Sequence, residues 1–258
     1  MTLAVHEWGD PTAPVVLCLH GVTGNGLHFE RLARRLGDRF HVVAPDLLGH
    51  GDSPWQPPWT LRAHLAALGE VIGGRDRPLI CLGHSFGARL ALELAAGSAG
   101  LVERLVLLDP AVFLPPPVAL FAAEGSRAER AYASYDEAVD RRYEESLLYS
   151  TDRTFLRGEL RTHLVRSESD GLWRYRYCQS AVIAAYSVLT TPPPAFDRVV
   201  VPTLLVLGRH SYLPYYHLLD EHRRALGDLL EVVAVDGGHT VLWDAFGEVA
   251  GAVERFLA

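Results

Sequence analysis

The 258 residues, 49% of them apolar and 21% charged, are enough to bury a substantial core in one large domain. A net charge of −7, from 31 acidic and 24 basic residues, excludes the broad basic face that a nucleic-acid binder needs. All 24 basic residues are arginine, and with no lysine the chain cannot use a Schiff base, a Ser-Lys dyad or a P-loop.

The opening LAVHEWGD (3–10) alternates polar with apolar residues, as an antiparallel edge strand does. From there, short continuous apolar runs predict strands buried on both faces: PVVLCLH (14–20), HVVAPD (41–46), PLICLG (78–83), RLVLLD (104–109), PTLLVLG (202–208) and LLEVVAVD (229–236). Helical patterns near 26–36, 59–72, 86–96, 217–226 and 244–257 lie between and after them. This alternation predicts an α/β fold with a mostly parallel, twisted central sheet flanked by helices.

The alternation stops between Asp109 and Pro202, where LPPPV (114–118) and TPPPAF (191–196) mark chain exit and entry. Residues 118–191 are expected to form a mostly helical insertion, leaving 1–117 and 192–258 as the core. Seven of the ten tyrosines fall in it, beside Phe121, Phe155 and Trp173. These aromatics suit either a small core of the insertion or the wall of a substrate pocket.

No apolar run reaches bilayer-spanning length, and MTLAVHEWGD lacks the basic-then-apolar order of a signal peptide. A cytoplasmic protein without membrane association is therefore expected. Cys18, Cys81 and Cys178 have no metal-type spacing, and the twelve histidines form no H-E-x-x-H motif. No metal and no cofactor are implied.

GHSFG (83–87) carries the chemistry. It follows a buried strand and opens a helix, the context in which a G-x-S-x-G serine sits on a tight, strained turn with its hydroxyl exposed. The helix N-terminus behind Ser85 favours developing negative charge. His239, after a strand and two glycines in DGGHTVLWD (236–244), is the expected base, because histidine is the side chain suited to passing protons near neutral pH. His20, His50 and His84 belong to turn motifs and are poor candidates. Asp46, Gly49, Gly51 and Ser53 are expected to shape a loop beside the site.

LHGVTGNG (19–26), APDLLGHGDSPW (44–55), GHSFG (83–87) and GGHTVLWD (237–244), in that order and spacing, resemble the α/β-hydrolase family over residues 15–256. The resemblance implies an α/β-hydrolase core with a helical cap at 118–191. It also implies an oxyanion hole from the backbone N–H groups of Val22 and Phe86.

The chain departs from the family at the orienting acid. Most members carry an Asp after the seventh strand, where LLVLGRHSYLP (204–214) has Ser211, and a hydroxyl supplies no charge to an imidazolium. Some members place the acid after the sixth strand, which here is Asp109, the favoured candidate. Asp236, three residues before His239, is a weaker one, and a Ser-His dyad held by Ser211 or water stays open.

A serine nucleophile with an oxyanion hole suits acyl transfer on a small-molecule substrate with an acyl or carbonyl group. The expected reaction is hydrolysis of a small or medium carboxylic ester or lactone with an apolar acyl part. The insertion's ten arginines against eleven acidic residues give no basic funnel in sequence, which weighs against a coenzyme A thioester. A thioesterase nevertheless stays open, as does a carbon–carbon hydrolase or lyase. GHSFGAR also resembles the G-x-S-x-G-G-R segment of menaquinone-pathway lyases, with Arg89 at the matching place. An inactive ligand-binding member is the alternative outside enzymes, and a homodimer is compatible with the sequence.

Overall fold

Successive side chains of a strand leave on opposite faces, and in the central sheet both faces are buried. The computed structural model describes residues 1–258 apart from 74–77, 98–99, 146–147 and 214, and without the side chains of 145 and 216. In chain order the elements are β1 (Val5–Trp8), β2 (Val15–Leu19), α1 (Glu30–Leu36), β3 (His41–Pro45), α2 (Leu61–Ile72), β4 (Leu79–His84), α3 (Phe86–Gly97) and β5 (Val102–Leu108). There follow α4 (Pro116–Gly125), β6 (Ala131–Tyr132), α5 (Tyr135–Glu145), α6 (Arg153–His163), β7 (Leu164–Arg166), β8 (Trp173–Tyr175) and α7 (Gln179–Leu189). The chain ends with β9 (Thr203–Gly208), α8 (Tyr216–Leu226), β10 (Leu230–Val235), α9 (Val241–Asp244) and α10 (Phe246–Leu257).

Seven strands form the main sheet in the order β1-β3-β2-β4-β5-β9-β10. Only β1 is antiparallel, pairing Val5 with Pro45 at the sheet edge, as its alternating sequence predicts. On β2, Leu17 and Leu19 face a core built with α2, α3 and α8, while Val16 and Cys18 face one built with α1 and α10. β4, β5 and β9 divide their side chains in the same way, which is why these strands read as unbroken apolar runs. Cys18 and Cys81 are buried in this packing as free thiols. Among the described residues no helix is long and apolar enough to cross a membrane.

The segment from α4 to α7 leaves the sheet after β5 and rejoins it at β9. It is less helical than its sequence suggests, because β6, β8 and β7 form a three-stranded antiparallel sheet beside its four helices. The strands have only two or three residues each, too few to register as apolar runs. Their signal is the Ser-Glu-Ser-Asp-Gly turn at 167–171, where Gly171 takes a positive φ of 73°.

Tyr132, Leu156, Leu160 and Trp243 form a small third core, with Tyr135, Phe155, Trp173 and Tyr175 packed against it. Arg89, 1% exposed on α3, closes the base of the segment by donating to the carbonyls of Val112, Thr191 and Pro192, on the outgoing and returning chain.

The parallel arrangement brings the carboxyl ends of β2, β4, β5, β9 and β10 to one edge, where ligands bind in open α/β sheets. The join between β4 and α3 depends on close approach. A Cβ on Gly83 would lie 2.4 Å from the Gly87 carbonyl oxygen and 2.5 Å from the Ala88 Cα. Gly83→Ala is therefore expected to cost about 2 kcal/mol or more by overpacking backbone that cannot move aside. Gly247→Ala, with nothing within 4 Å of its new Cβ, should leave the urea midpoint within error or raise it. Equal midpoints for the two variants would contradict the tight join.

Candidate active site

Ser85 sits between β4 and α3 at a φ of 54°; with Asp109, at 38°, it is one of two non-glycine residues at positive φ among the described residues. Such backbone costs on the order of 1–3 kcal/mol and persists only where its surroundings enforce it. Here the surroundings tie the two residues together. The Ser85 N–H donates to the Leu108 carbonyl at 3.1 Å, and the Ala111 N–H donates back to the Ser85 carbonyl at 3.1 Å. The turn is thus stitched to the end of β5. Ser85 is 5% exposed, and its hydroxyl reaches the ring of His239.

His239 lies in the loop from β10 to α9. Its Nε2 is 2.9 Å from Ser85 Oγ and its Nδ1 is 2.6 Å from Asp109 Oδ2. With the proton on Nδ1, the ring donates to the carboxylate and accepts from the hydroxyl. Two contacts steady the loop. The His84 Nε2–H donates to the His239 carbonyl at 2.9 Å, and the Gly238 N–H donates to Asp244 Oδ2 at 3.0 Å. The other oxygen of Asp244 accepts from Thr151 Oγ1 and the Ser150 N–H, which couples the loop to the segment over the sheet. Tyr212 meets the His239 ring edge-on with centroids 5.0 Å apart. His84 and Asp244 lie within the GHSFG and GGHTVLWD motifs and Tyr212 beside Ser211, but nothing in those motifs marked their supporting roles.

Asp109, 3% exposed, follows β5 with both carboxylate oxygens engaged. Oδ1 accepts from the Gly208 N–H at 2.9 Å, and Oδ2 accepts from Ser211 Oγ at 2.5 Å as well as from His239. Ser211 does not touch the imidazole; its hydroxyl instead braces the carboxylate that does. Asp236 is elsewhere, paired with the exposed His210 at 2.9 Å.

The turn after β2 faces the serine, and a Cβ on Gly21 would stand 3.1 Å from Ser85 Cβ. Val22 lines the cavity, and its carbonyl accepts from His50 Nε2. Phe86 turns its side chain into the core, edge-on to His64, so only its backbone can address the site. His20 accepts from the Leu47 N–H at 2.9 Å and is held away from Ser85. Asp46 accepts from His6 and from the N–H groups of Gly26 and Asp52. Burial alone would raise its pKa, but these bonds outweigh burial and hold it near 2. Gly51, at φ 52°, is indispensable there, because a Cβ would fall 2.0 Å from Asp46 Oδ2.

The cavity above Ser85 has a volume of about 410 Å³. Its wall includes Tyr175, Tyr177, Tyr186 and Phe121 from the segment between β5 and β9, so the aromatics there serve both the small core and the cavity. Arg89 is not among the lining residues; its guanidinium is spent on the strut at the base of that segment. Among the described residues no group of three or more His, Cys, Asp or Glu is placed to hold a metal ion.

A model of the alpha/beta hydrolase family matches residues 16–252. Lipase LipV of Mycobacterium tuberculosis is 35% identical over 270 residues, spanning 99% of this chain and 97% of its own. The 2-(acetamidomethylene)succinate hydrolase of Mesorhizobium japonicum is 32% identical over 253 residues, spanning 93% of this chain and 86% of its own. Among solved structures, an E-2-(acetamidomethylene)succinate hydrolase superposes with a TM-score of 0.86 at 26% identity, over 99% of this chain and 94% of that one.

Histidines packed around the site and core are held neutral by burial. Desolvation pushes His20 and His64 down to about 3, and His84, His163 and His222 down to about 4. In the unfolded chain each titrates near ~6.5. Between that pH and about 4 the unfolded state holds more protons, so stability is full above ~6.5 and falls as pH drops. Each histidine contributes a slope of up to about 1.4 kcal/mol per pH unit. The urea midpoint should therefore decline steadily from pH 7.5 to 5. A flat midpoint would contradict neutral burial.

Proposed function

The chain belongs to the alpha/beta hydrolase family, and on that footing we propose that it hydrolyses a small or medium carboxylic ester or lactone through an acyl-enzyme. Ser85 Oγ attacks the carbonyl carbon while His239 Nε2 takes its proton. The carbonyl electrons move onto oxygen, and the Asp109 carboxylate stabilises the imidazolium through Nδ1–H. Collapse of the tetrahedral intermediate expels the alcohol, which leaves with the proton from His239. Water, deprotonated by the same ring, then attacks the acyl-Ser85 ester and releases the acid. No metal or cofactor takes part in this sequence.

The backbone N–H groups of Val22 and Phe86 are assigned to the oxyanion. Among the described residues neither donates to a protein acceptor, and each such donor is worth about 3 kcal/mol in the transition state. In this reading residues 1–117 and 192–258 are the catalytic core, and 118–191 is a cap that roofs the cavity. The observation that carries the proposal is the unbroken hydrogen-bonded chain from Ser85 through His239 to Asp109, opening on that cavity. An ester substrate also accords with the lipase name of one relative.

A panel of p-nitrophenyl esters and lactones tests the reaction. The wild-type protein should turn over at least one member, and Ser85→Ala should lose about 10³-fold or more in kcat. Activity retained in Ser85→Ala would reject the nucleophile.

Asp109→Asn should lower kcat by about 10³- to 10⁴-fold, because the amide leaves the imidazole without its counter-charge. Thermal midpoints should show the variant folded. Asp236→Asn should keep the wild-type rate; the opposite ranking of the two variants would move the acid to Asp236.

A further inference from the structure

The cavity is lined by arginine rather than by acid, although the chain as a whole is acidic. Two arginines, Arg130 and Arg142, line the cavity, and among the described lining residues none is Asp or Glu. Arg142 stands out for its lack of a carboxylate partner among the described residues. On the same helix, α5, Asp136 pairs with Arg157 and Asp140 with Arg153, both facing α6. The guanidinium of Arg142 instead lies over the indole of Trp243, with Cζ 5.8 Å from the ring centroid, and has no carboxylate within ion-pair distance among the described residues. Glu159 also reaches Trp243, but the charges acting on its carboxyl are those of Arg31 and Glu30.

Unpaired polar atoms gather at the same end. His163, 5% exposed, meets Trp243 edge-on at 5.7 Å, and its Nε2 has no hydrogen-bond partner. The Tyr175 hydroxyl and His28 Nε2 are likewise buried and unpartnered, and all three residues line the cavity. Arg142 acts electrostatically on both His163 and Tyr175. A ring-to-ring path joins this cluster to the catalytic imidazole: His239 to His84 at 5.0 Å, His84 to His28 at 5.2 Å, and His28 to Trp243 at 5.6 Å. Unmade hydrogen bonds of buried polar atoms are costly, so such a cluster, beside a half-buried guanidinium, is built to be completed by a ligand.

We propose that Arg142, with the unpartnered Tyr175 hydroxyl that lines the same cavity, binds a carboxylate at the far end of the substrate, so that the compound cleaved at Ser85 is the ester or lactone of a carboxylate-bearing acid. A guanidinium and a phenol fit a planar monoanion, the first as a forked donor and the second as a single one. Neutral His163 adds no charge, so one carboxylate balances Arg142. The inference rests on the acyl-transfer reading of Ser85 and replaces the apolar acyl part expected from the sequence. There the basic and acidic residues of 118–191 nearly cancel; in space Arg142 lines the cavity and no described carboxylate does.

The test compares p-nitrophenyl hemiesters of succinic, glutaric and adipic acids with neutral p-nitrophenyl esters of matched length. At least one hemiester should exceed its neutral match in kcat/KM by about tenfold, the usual discrimination of a charge-assisted contact. Arg142→Gln should cut that ratio about fivefold or more, and Arg142→Lys should restore part of it. Tyr175→Phe, which deletes one oxygen, should lower the ratio in the same direction. Neutral esters preferred at every length, or a ratio unmoved in folded Arg142→Gln, would overturn the site. If the wild-type protein cleaves no ester, the acyl-transfer reading fails by itself, and calorimetry with glutarate then decides. Binding that weakens in Arg142→Gln upholds the carboxylate site, and no binding to the wild-type protein overturns it.

Discussion

The carboxylate of Asp109 joins three stretches of chain at the ends of neighbouring strands. It leaves the end of β5 from a left-handed backbone, accepts the Gly208 N–H that follows β9, and accepts the His239 ring that follows β10. The same peptide region is bonded to the Ser85 turn after β4. Four strand ends are thus registered by one buried anion and the bonds around it. Removing the whole carboxylate would free the imidazole to turn and would leave Gly208 and Ser211 without their acceptor. Both non-glycine residues at positive φ lie in this knot, which is where stored backbone strain is expected when a site must be held in one geometry.

How far the site could be read from sequence follows from how local each signal is. Ser85 announces itself because strand, glycines and helix are contiguous, and each glycine excludes a specific clash. His239 is nearly as plain, since two glycines and a helix start flank it. Asp109 could be reached only through the family resemblance, which puts the acid after the sixth strand in some members, once a serine stood where most carry an Asp. Its bond to His239 spans 130 residues, and no short pattern encodes it. The part of Ser211, as donor to that carboxylate, could not be read at all, because a hydroxyl carries no signature of the partner it will find. The central sheet was legible because burial on both faces makes apolar runs unbroken. The small sheet of β6, β7 and β8 was not, since its strands are too short to show a period.

Charge inside the cavity is the feature that composition conceals most completely. A chain of net charge −7 directs two arginines and no carboxylate, among the described residues, onto the wall facing Ser85. The acidic partners that would neutralise α5 are drawn to α6 on its other side. The segment over the sheet is itself anchored at both ends. Arg89 clamps its base, and Asp244 fastens Ser150 and Thr151 to the loop that carries His239. The segment that lines the cavity and the loop that carries His239 are in this way fastened together by residues far apart in the chain.

Covalent trapping by a fluorophosphonate, read by intact mass and peptide mapping, addresses the central claim most directly. A nucleophile activated by His239 and Asp109 gives one adduct, on Ser85, that forms far more slowly in His239→Ala. An unmodified mass after prolonged exposure, or an adduct that forms equally fast without the imidazole, would contradict an activated serine at this site.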